Sequence, residues 1–276
     1  MKAGNIDQLL ASAGDCDIVQ LGHELHVGMP RFESHPPFMY SLTAQHGSGS
    51  MPGQFAGSTG ASDAFTMGVH TGTHMDSLSH IAFHQCLCDG TNVMAPGVQS
   101  PAGGVRMQSG DAIRPLVRRG VLLDFPRHLG VELLPREMPI TPHDVANCAQ
   151  AQGTPIRRGD VVLFRTGWDT LYGDHRPYTQ MPQPGPDADT ARYLAATGVV
   201  AAGSDTLAFE QAPGPRPLEV HVELISKAGI FIFESLDLRE LSRRQAYSFL
   251  FVVLPLRLSG GTGSPVNPAA LVARGS

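Results

Sequence analysis

Short apolar runs rich in β-branched residues recur along the chain, and runs of this length predict buried β-strands. The five clearest are GVLLDF (120–125), DVVLFRTGW (160–168), GVVAAGSD (198–205), GIFIFESL (229–236) and FLFVVLPLRL (249–258). Upstream, the alternating stretch 18–30 predicts an edge strand followed by a turn. Residues 40–68 are rich in Gly, Ser and Met, which predicts a long loop or an irregular hairpin.

Helical patterns lie between these strands. Residues 141–144, Thr-Pro-His-Asp, are typical of a helix start, and the amphipathic segment 187–198 ends on Gly198. Residues 217–228 begin with proline in the first turn and stop before Gly229. Strands that alternate with single helices predict an α/β fold with a mixed β-sheet.

Length and composition narrow the class of protein. A chain of 276 residues without a repeat or low-complexity linker predicts a single domain, residues 1–276, with 1–17 as an N-terminal extension. A net charge of −5 without a basic face argues against nucleic acid as a partner. No apolar run approaches the roughly 20 residues that span a bilayer, and no signal peptide is expected. Four cysteines without a disulfide framework predict reduced thiols and a cytoplasmic protein.

The stretch HTGTHMDSLSH (70–80) concentrates three of the 12 histidines. On a straight strand His70 and His74 would stand about 13 Å apart, whereas two ligands of one ion lie close together. The chain must therefore bend, and Gly72 permits a bend without steric cost. A strand end at His70, a turn at Gly72, and convergence of His74 with Asp76 would form half of a divalent-metal site. The alternative is a polar loop whose histidines are satisfied by backbone groups.

His80 follows this half-site on the segment that leaves the loop. It is a candidate fourth ligand, and it is equally a candidate for moving a proton near neutral pH. Cys86 and Cys88 are also near in sequence, but their C-x-C spacing is not the usual zinc spacing, so we favour a packing role.

A second donor segment is expected because one segment leaves a metal under-coordinated. His221 near a helix start and Glu234 near the following strand's end would meet if that helix and strand pack antiparallel. Glu234 is the only charge in FIFESL, a costly position unless a cation pairs with it. The alternatives are a salt bridge from Glu234 to Arg239 or Arg165, and an exposed first-turn position for His221.

These residues resemble the cyclase-like metal-dependent hydrolases, a family that includes bacterial kynurenine formamidase and isatin hydrolase. The family motif His-x-Gly-Thr-His-x-Asp-x-Pro-x-His is matched over residues 70–80, except that Leu78 replaces proline. The segments LGHELHVGMPRF, His221 with Glu234-Ser-Leu-Asp-Leu, and LPLRLSGGTGSPVNPAALV are also similar. Matching segments extend from about residue 18 to 272.

The resemblance implies a swivelling β/β/α fold, a homodimer or homotetramer, and a divalent metal, zinc or manganese, as one or two ions. It implies metal ligands at five positions, with Asp76 able to bridge two ions: His70, His74, Asp76, His221 and Glu234. It also implies that His80 is the catalytic acid and base. Phe32 stands where relatives place an aromatic ring against the substrate, with an ordinary core phenylalanine as the alternative.

Two departures from the family pattern concern specificity and His80. Extra sequence occurs around residues 40–65, 126–156 and 172–186, where loops shape a substrate pocket, so formylkynurenine specificity is not expected to carry over. The absent proline at Leu78 bears on how the loop presents His80.

The expected function is metal-dependent hydrolysis of an amide, cyclic amide or lactone in a small-molecule substrate, with an aromatic one as an option. A serine hydrolase is disfavoured because G-x-S-x-G is absent, and a dinucleotide enzyme because no strand is followed by G-x-G-x-x-G. A non-catalytic metal or small-ligand binding protein of the same fold is the alternative.

Overall fold

A mixed nine-stranded sheet forms the centre of the computed structural model, which describes residues 13–47 and 57–274. Across the sheet the order is β1 (Cys16–Gln20), β15 (Ala269–Ala273), β13 (Ser248–Val253), β7 (Leu116–Asp124), β9 (Val161–Arg165), β11 (Ala201–Ser204), β12 (Phe231–Glu234), β4 (His74–Asp76) and β14 (Gly263–Pro265). The pairs β7–β9, β9–β11 and β11–β12 are parallel, and the other neighbours are antiparallel. All five predicted apolar runs overlap a strand of this sheet.

Among the described residues, three two-stranded sheets accompany it. They are the antiparallel pairs β2 (Met39–Ala44) with β3 (Ser62–Thr66) and β5 (Gln99–Ser100) with β6 (Gly104–Val105), and the parallel pair β8 (Pro139–Ile140) with β10 (Gly185–Pro186). The hairpin alternative for residues 40–68 is thus observed at both ends of that stretch; residues 48–56 lie outside the described part.

The N-terminal strand lies at the sheet edge, as predicted, but with different bounds. β1 ends at Gln20, and beyond it only a single bridge joins Gly22 to Leu236. Cys16 and Asp17, which fall within the predicted extension, pair with β15. Residues 1–12 of that extension lie outside the described residues.

The helices are α1 (Phe125–Leu129), α2 (Pro142–Ala151), α3 (His175–Thr179), α4 (Ala188–Thr197), α5 (Glu219–His221) and α6 (Arg239–Arg244), with 3-10 turns at Gly110–Ala112 and Trp168–Leu171. Thr141 and Asp144 form a capping box that starts α2, which confirms that predicted start. The predicted helix 217–228 is instead α5 followed by a π-helix, Val222–Ala228. π-helical turns are frequent at functional sites, and this one begins directly after His221.

Alternate residues of the central strands face opposite sides of the sheet. Leu123 and Phe164 pack with α2 and α4 on one side, whereas Leu122 and Leu163 pack with Met75 on the other. A mixed sheet flanked by helices confirms the predicted α/β class. Within the described ranges, no helix has both the length and the apolar character needed to traverse a bilayer.

Candidate metal centre

Strand β4 brings the first cluster of candidate ligands to the sheet. Its antiparallel register with β12 places His74 opposite Glu234, so these two side chains are cross-strand neighbours. The predicted bend occurs at Gly72, whose φ of +69° is in the left-handed region. The predicted strand end at His70 is wrong. β3 ends at Thr66, and His70 lies in a turn four residues later, with the loop fixed by the backbone of residues 36 and 68.

Three side chains of the HTGTHMDSLSH stretch converge. Nδ1 of His70 lies 2.7 Å from Oδ1 of Asp76, and Nε2 of His74 lies 3.5 Å from the same oxygen. One ligand atom from each residue lies within 4.8 Å of the others. The spacing suits one divalent ion bound by two imidazoles and a carboxylate.

The second segment completes a neighbouring group. Nε2 of His221 lies 3.1 Å from Oε1 of Glu234 and 3.7 Å from Oδ2 of Asp76. Glu234 turns its other oxygen, Oε2, towards Nε2 of His74 at 3.2 Å. Asp76 therefore belongs to both groups, one oxygen facing each.

The two alternatives for these late residues are contradicted. Arg239 pairs with Asp237, and Arg165 pairs with two other aspartates, so neither arginine pairs with Glu234. His221 is only 3% exposed, which rules out a solvated first-turn position.

The pKa shifts of the buried side chains show that the cluster favours a positive charge at its centre. Burial alone would lower the pKa of His74, but the carboxylates of Asp76 and Glu234, which lie 3.5 and 3.2 Å from its Nε2, raise it to about 10. The pKa of His221 is raised well above its ordinary value against the same effect of burial, through Glu210 and Glu234. Burial raises the pKa of Glu234, but its histidine partners overcome this and lower it to about 2. The cluster thus stabilises positive charge strongly.

The donor atoms fit a cation. Nε2 of His74 and Oδ2 of Asp76 are buried and make no hydrogen bond. Buried polar atoms without partners are rare in proteins, and these two point into the region shared by both ligand groups. Nitrogen and carboxylate donors without a thiolate suit zinc or manganese. Cys86 and Cys88 belong to neither group.

Contacts distant in sequence orient the ligands. Nε2 of His70 lies 3.0 Å from Oγ1 of Thr262, and Nδ1 of His74 lies 2.8 Å from the carbonyl oxygen of Gly72. The backbone N–H of Phe209 donates to Oε1 of Glu234. Sequence reasoning missed Thr262 and Phe209. No local spacing could have found them, because 192 residues separate His70 from Thr262.

His80 lies beside the first group. Its ring stacks on His70 with centroids 4.1 Å apart and is 6.4 Å from the ring of His221. Burial lowers the pKa of His80 to about 4, despite the opposing charge of Asp76. The imidazole is therefore neutral at pH 7 and can accept a proton.

The turn before His80 forms without the family's proline. The N–H of His80 donates to the carbonyl of Ser77 at 3.1 Å, so Leu78 occupies the second position of a four-residue turn, where proline is favoured but not required. The Leu78 side chain packs against the core beneath α2 and α4.

Phe32 lies near the cluster but not in it. Its ring is 5.6 Å from that of His35, which is 5.9 Å from His70. Phe32 lines a cavity of about 460 Å³ together with Met181 and Leu207. It also packs against the buried aromatic cluster around Trp168, so features of both predicted roles are present. His35, which the sequence reasoning passed over, links this cavity to the histidines.

Comparisons with known proteins give a family match. The family model described as "Putative cyclase" matches residues 19–211. An isatin hydrolase of Roseibium aggregatum is 29% identical over 136 residues, which is 47% of this chain and 51% of that protein. The match therefore spans about half of the length of this relative.

Solved structures show the same fold. A crystal structure described as a novel cyclase has a TM-score of 0.84 at 24% identity, covering 98% of this chain and 92% of that chain. Isatin hydrolase A from Ralstonia solanacearum has a TM-score of 0.72 at 23% identity, covering 99% and 97%.

Proposed function

Because this chain belongs to the cyclase family, we propose that the cluster is a divalent-metal centre and that the protein is a metal-dependent hydrolase. The observation that carries the proposal is the position of Asp76, buried between two ligand groups with one oxygen facing each. The ligands are His70, His74, Asp76, His221 and Glu234. Zinc or manganese is the proposed metal, as one or two ions.

The bond that is cleaved is the C–N bond of an amide or cyclic amide, or the C–O bond of a lactone, in a small molecule. When bound, the metal would lower the pKa of water and polarise the carbonyl oxygen. The similarity to isatin hydrolases favours a cyclic amide. We assign Phe32 and the cavity that it lines the role of receiving an apolar, aromatic part of such a substrate.

His80 is the proposed acid and base. Its neutral imidazole can take the proton of the attacking water and return it to the leaving nitrogen or oxygen. Stacking on His70 fixes the ring beside the ligands, so the proton has a short path. Asp76 stabilises the protonated ring through its negative charge.

Two measurements test the proposal. Protein purified without chelator is analysed for metal, and we expect at least one stoichiometric ion of zinc or manganese. The metal-loaded protein is then offered a panel of amides, cyclic amides, imides and lactones, with the hydrolysis products measured by liquid chromatography and mass spectrometry. Absence of stoichiometric metal would refute the site. Bound metal without hydrolysis of any compound would favour the non-catalytic binding protein of the same fold.

A further inference from the structure

His221 has a carboxylate on each side of its ring. Nε2 faces Glu234 and Asp76, whereas Nδ1 lies 3.4 Å from Oε1 of Glu210. The Glu210 and His221 side chains are 9% and 4% exposed. The proposed metal site does not use Glu210 as a ligand, so its burial beside a ligand needs a separate explanation.

Glu210 is anchored to the same helical turn as His221. Its second oxygen, Oε2, accepts a hydrogen bond of 2.8 Å from the backbone N–H of Val220, the residue that precedes His221. One carboxylate thus contacts both the backbone and the ring of this turn. Nδ1 of His221 is buried and makes no hydrogen bond, so Oε1 of Glu210 acts on it as a close negative charge at 3.4 Å.

No arginine explains the position of Glu210. It borders a surface cavity that also contains Arg192 and Arg216. Arg216 pairs with Glu219. Arg192 pairs with Asp189, Glu219 and Glu223. Within the described residues, 13–47 and 57–274, Glu210 forms an ion pair with His221 and with no arginine.

The other central histidine has a different partner. Nδ1 of His74 lies 2.8 Å from the carbonyl oxygen of Gly72, a neutral acceptor, and its Nε2 faces the ligand region. A carboxylate on Nδ1 holds the ring proton there and makes Nε2 a stronger donor to a metal than a carbonyl does. The two ligand groups that share Asp76 are therefore unequal in this respect.

We propose that Glu210 is a positioning residue for His221 and determines whether the Asp76–His221–Glu234 group retains its own metal ion. Glu210 fixes the tautomer and orientation of His221, so that this group binds an ion in addition to the one at His70, His74 and Asp76. The inference rests on the proposed metal centre and specifies its two-ion form.

The test is metal titration of metal-free protein, wild type against Glu210→Gln. The glutamine keeps the shape and an oxygen for the Val220 N–H but loses the charge. We expect wild type to bind two Mn²⁺ ions, and Glu210→Gln to bind the second ion about 10- to 100-fold more weakly with the first unchanged. The electron paramagnetic resonance spectrum should change from that of a spin-coupled pair to that of a single ion.

Glu219→Gln is the matched control, because Glu219 borders the same cavity but pairs with Arg216. It should leave both binding constants unchanged. Unchanged constants in Glu210→Gln, or a single ion in wild type, would overturn the inference while leaving the hydrolase proposal intact. Absence of any bound metal in wild type would overturn both.

A second measurement does not depend on a variant. Nitrogen-15 NMR of the His221 ring in zinc-loaded wild-type protein should show the proton on Nδ1, facing Glu210. A proton on Nε2 would overturn the inference even if the variant failed to fold.

Discussion

At the scale of single residues, different side chains are proposed to bind the cation and to transfer the proton. The proposed ligands lie in the two groups that share Asp76, whereas His80 lies outside both groups and stacks on the ring of His70. This division allows the two roles to be removed independently.

Replacing His80 by alanine should therefore reduce turnover by about 10²- to 10⁴-fold while metal content stays near that of wild type. Steady-state kinetics on a compound hydrolysed by wild type and metal analysis of the same samples provide the test. The exposed neighbour His84 serves as the matched control, since His84→Ala should keep turnover. Unchanged turnover in His80→Ala would remove His80 from the acid and base role.

His23 gives a prediction about stability and pH. Its ring stacks on Tyr172 at 3.6 Å, and burial lowers its pKa to about 4 against the opposing charge of Asp237. The unfolded chain then binds more protons than the folded one between about pH 6.5 and 4. The stability from a neutral His23 is thus complete above pH 6.5 and is lost as pH falls towards 4.

Replacing His23 by phenylalanine should preserve the stacked ring and remove this titration. From pH 7 to pH 5, the loss in free energy of unfolding should be smaller than in wild type by about 2 kcal/mol. Urea denaturation at the two pH values measures the difference. An identical loss in both proteins would show that His23 titrates normally in the folded state.

At the scale of elements, strand β4 depends on its two neighbours. It pairs with β12 through residues 232–234 and with β14 through residues 263–265. Gly263 is needed on the β14 side, because a Cβ there would lie 2.7 Å from Cε1 of His70 and 2.9 Å from the carbonyl oxygen of Met75.

Gly263→Ala should push the His70 ring away from Asp76. We expect a stability loss of about 1–3 kcal/mol from overpacking, together with weaker binding of the ion held by His70 and His74. Calorimetric metal titration and thermal unfolding check both effects. Gly173→Ala is the control, since nothing lies within 4 Å of its added Cβ. Wild-type metal binding in Gly263→Ala would mean that His70 does not ligate.

The sequence could predict the features that have a local signal of their own, such as apolar periodicity, a capping residue or a glycine at a turn. The five apolar runs, the Thr141 cap and the bend at Gly72 are of this kind. Strands β4 and β14 are only three residues long, HMD and GSP, and carry no such signal. His74 and Glu234 are far apart in the chain. The sequence could therefore suggest that they meet at one metal site, but it could not predict that they lie opposite each other on β4 and β12.

At the scale of the whole molecule, metal binding should be linked to protons and to folding. Without an ion, His74 is protonated at neutral pH because its pKa is about 10. Ligation needs the neutral ring, so binding must release at least one proton and must weaken as pH falls. Titration calorimetry in buffers of different ionisation enthalpy counts the protons.

The same linkage predicts that a chelator lowers the thermal midpoint. At a free metal concentration 100 times its dissociation constant, binding adds about 2.7 kcal/mol to the free energy of unfolding. For a chain of this size we expect a shift of several degrees. Equal midpoints with and without chelator, or no proton release, would contradict a metal bound by His74.

The expected homodimer or homotetramer is tested separately, by light scattering.

The two flanks of β4 also impose an order on biosynthesis. The ribosome releases His70, His74 and Asp76 long before β12 and β14, the strands that enclose them. His70, His74 and Asp76 cannot be enclosed on the β14 side until residue 263 has been synthesised. The complete set of proposed ligands, and the strands on both sides of β4, can therefore come together only after most of the chain has been synthesised.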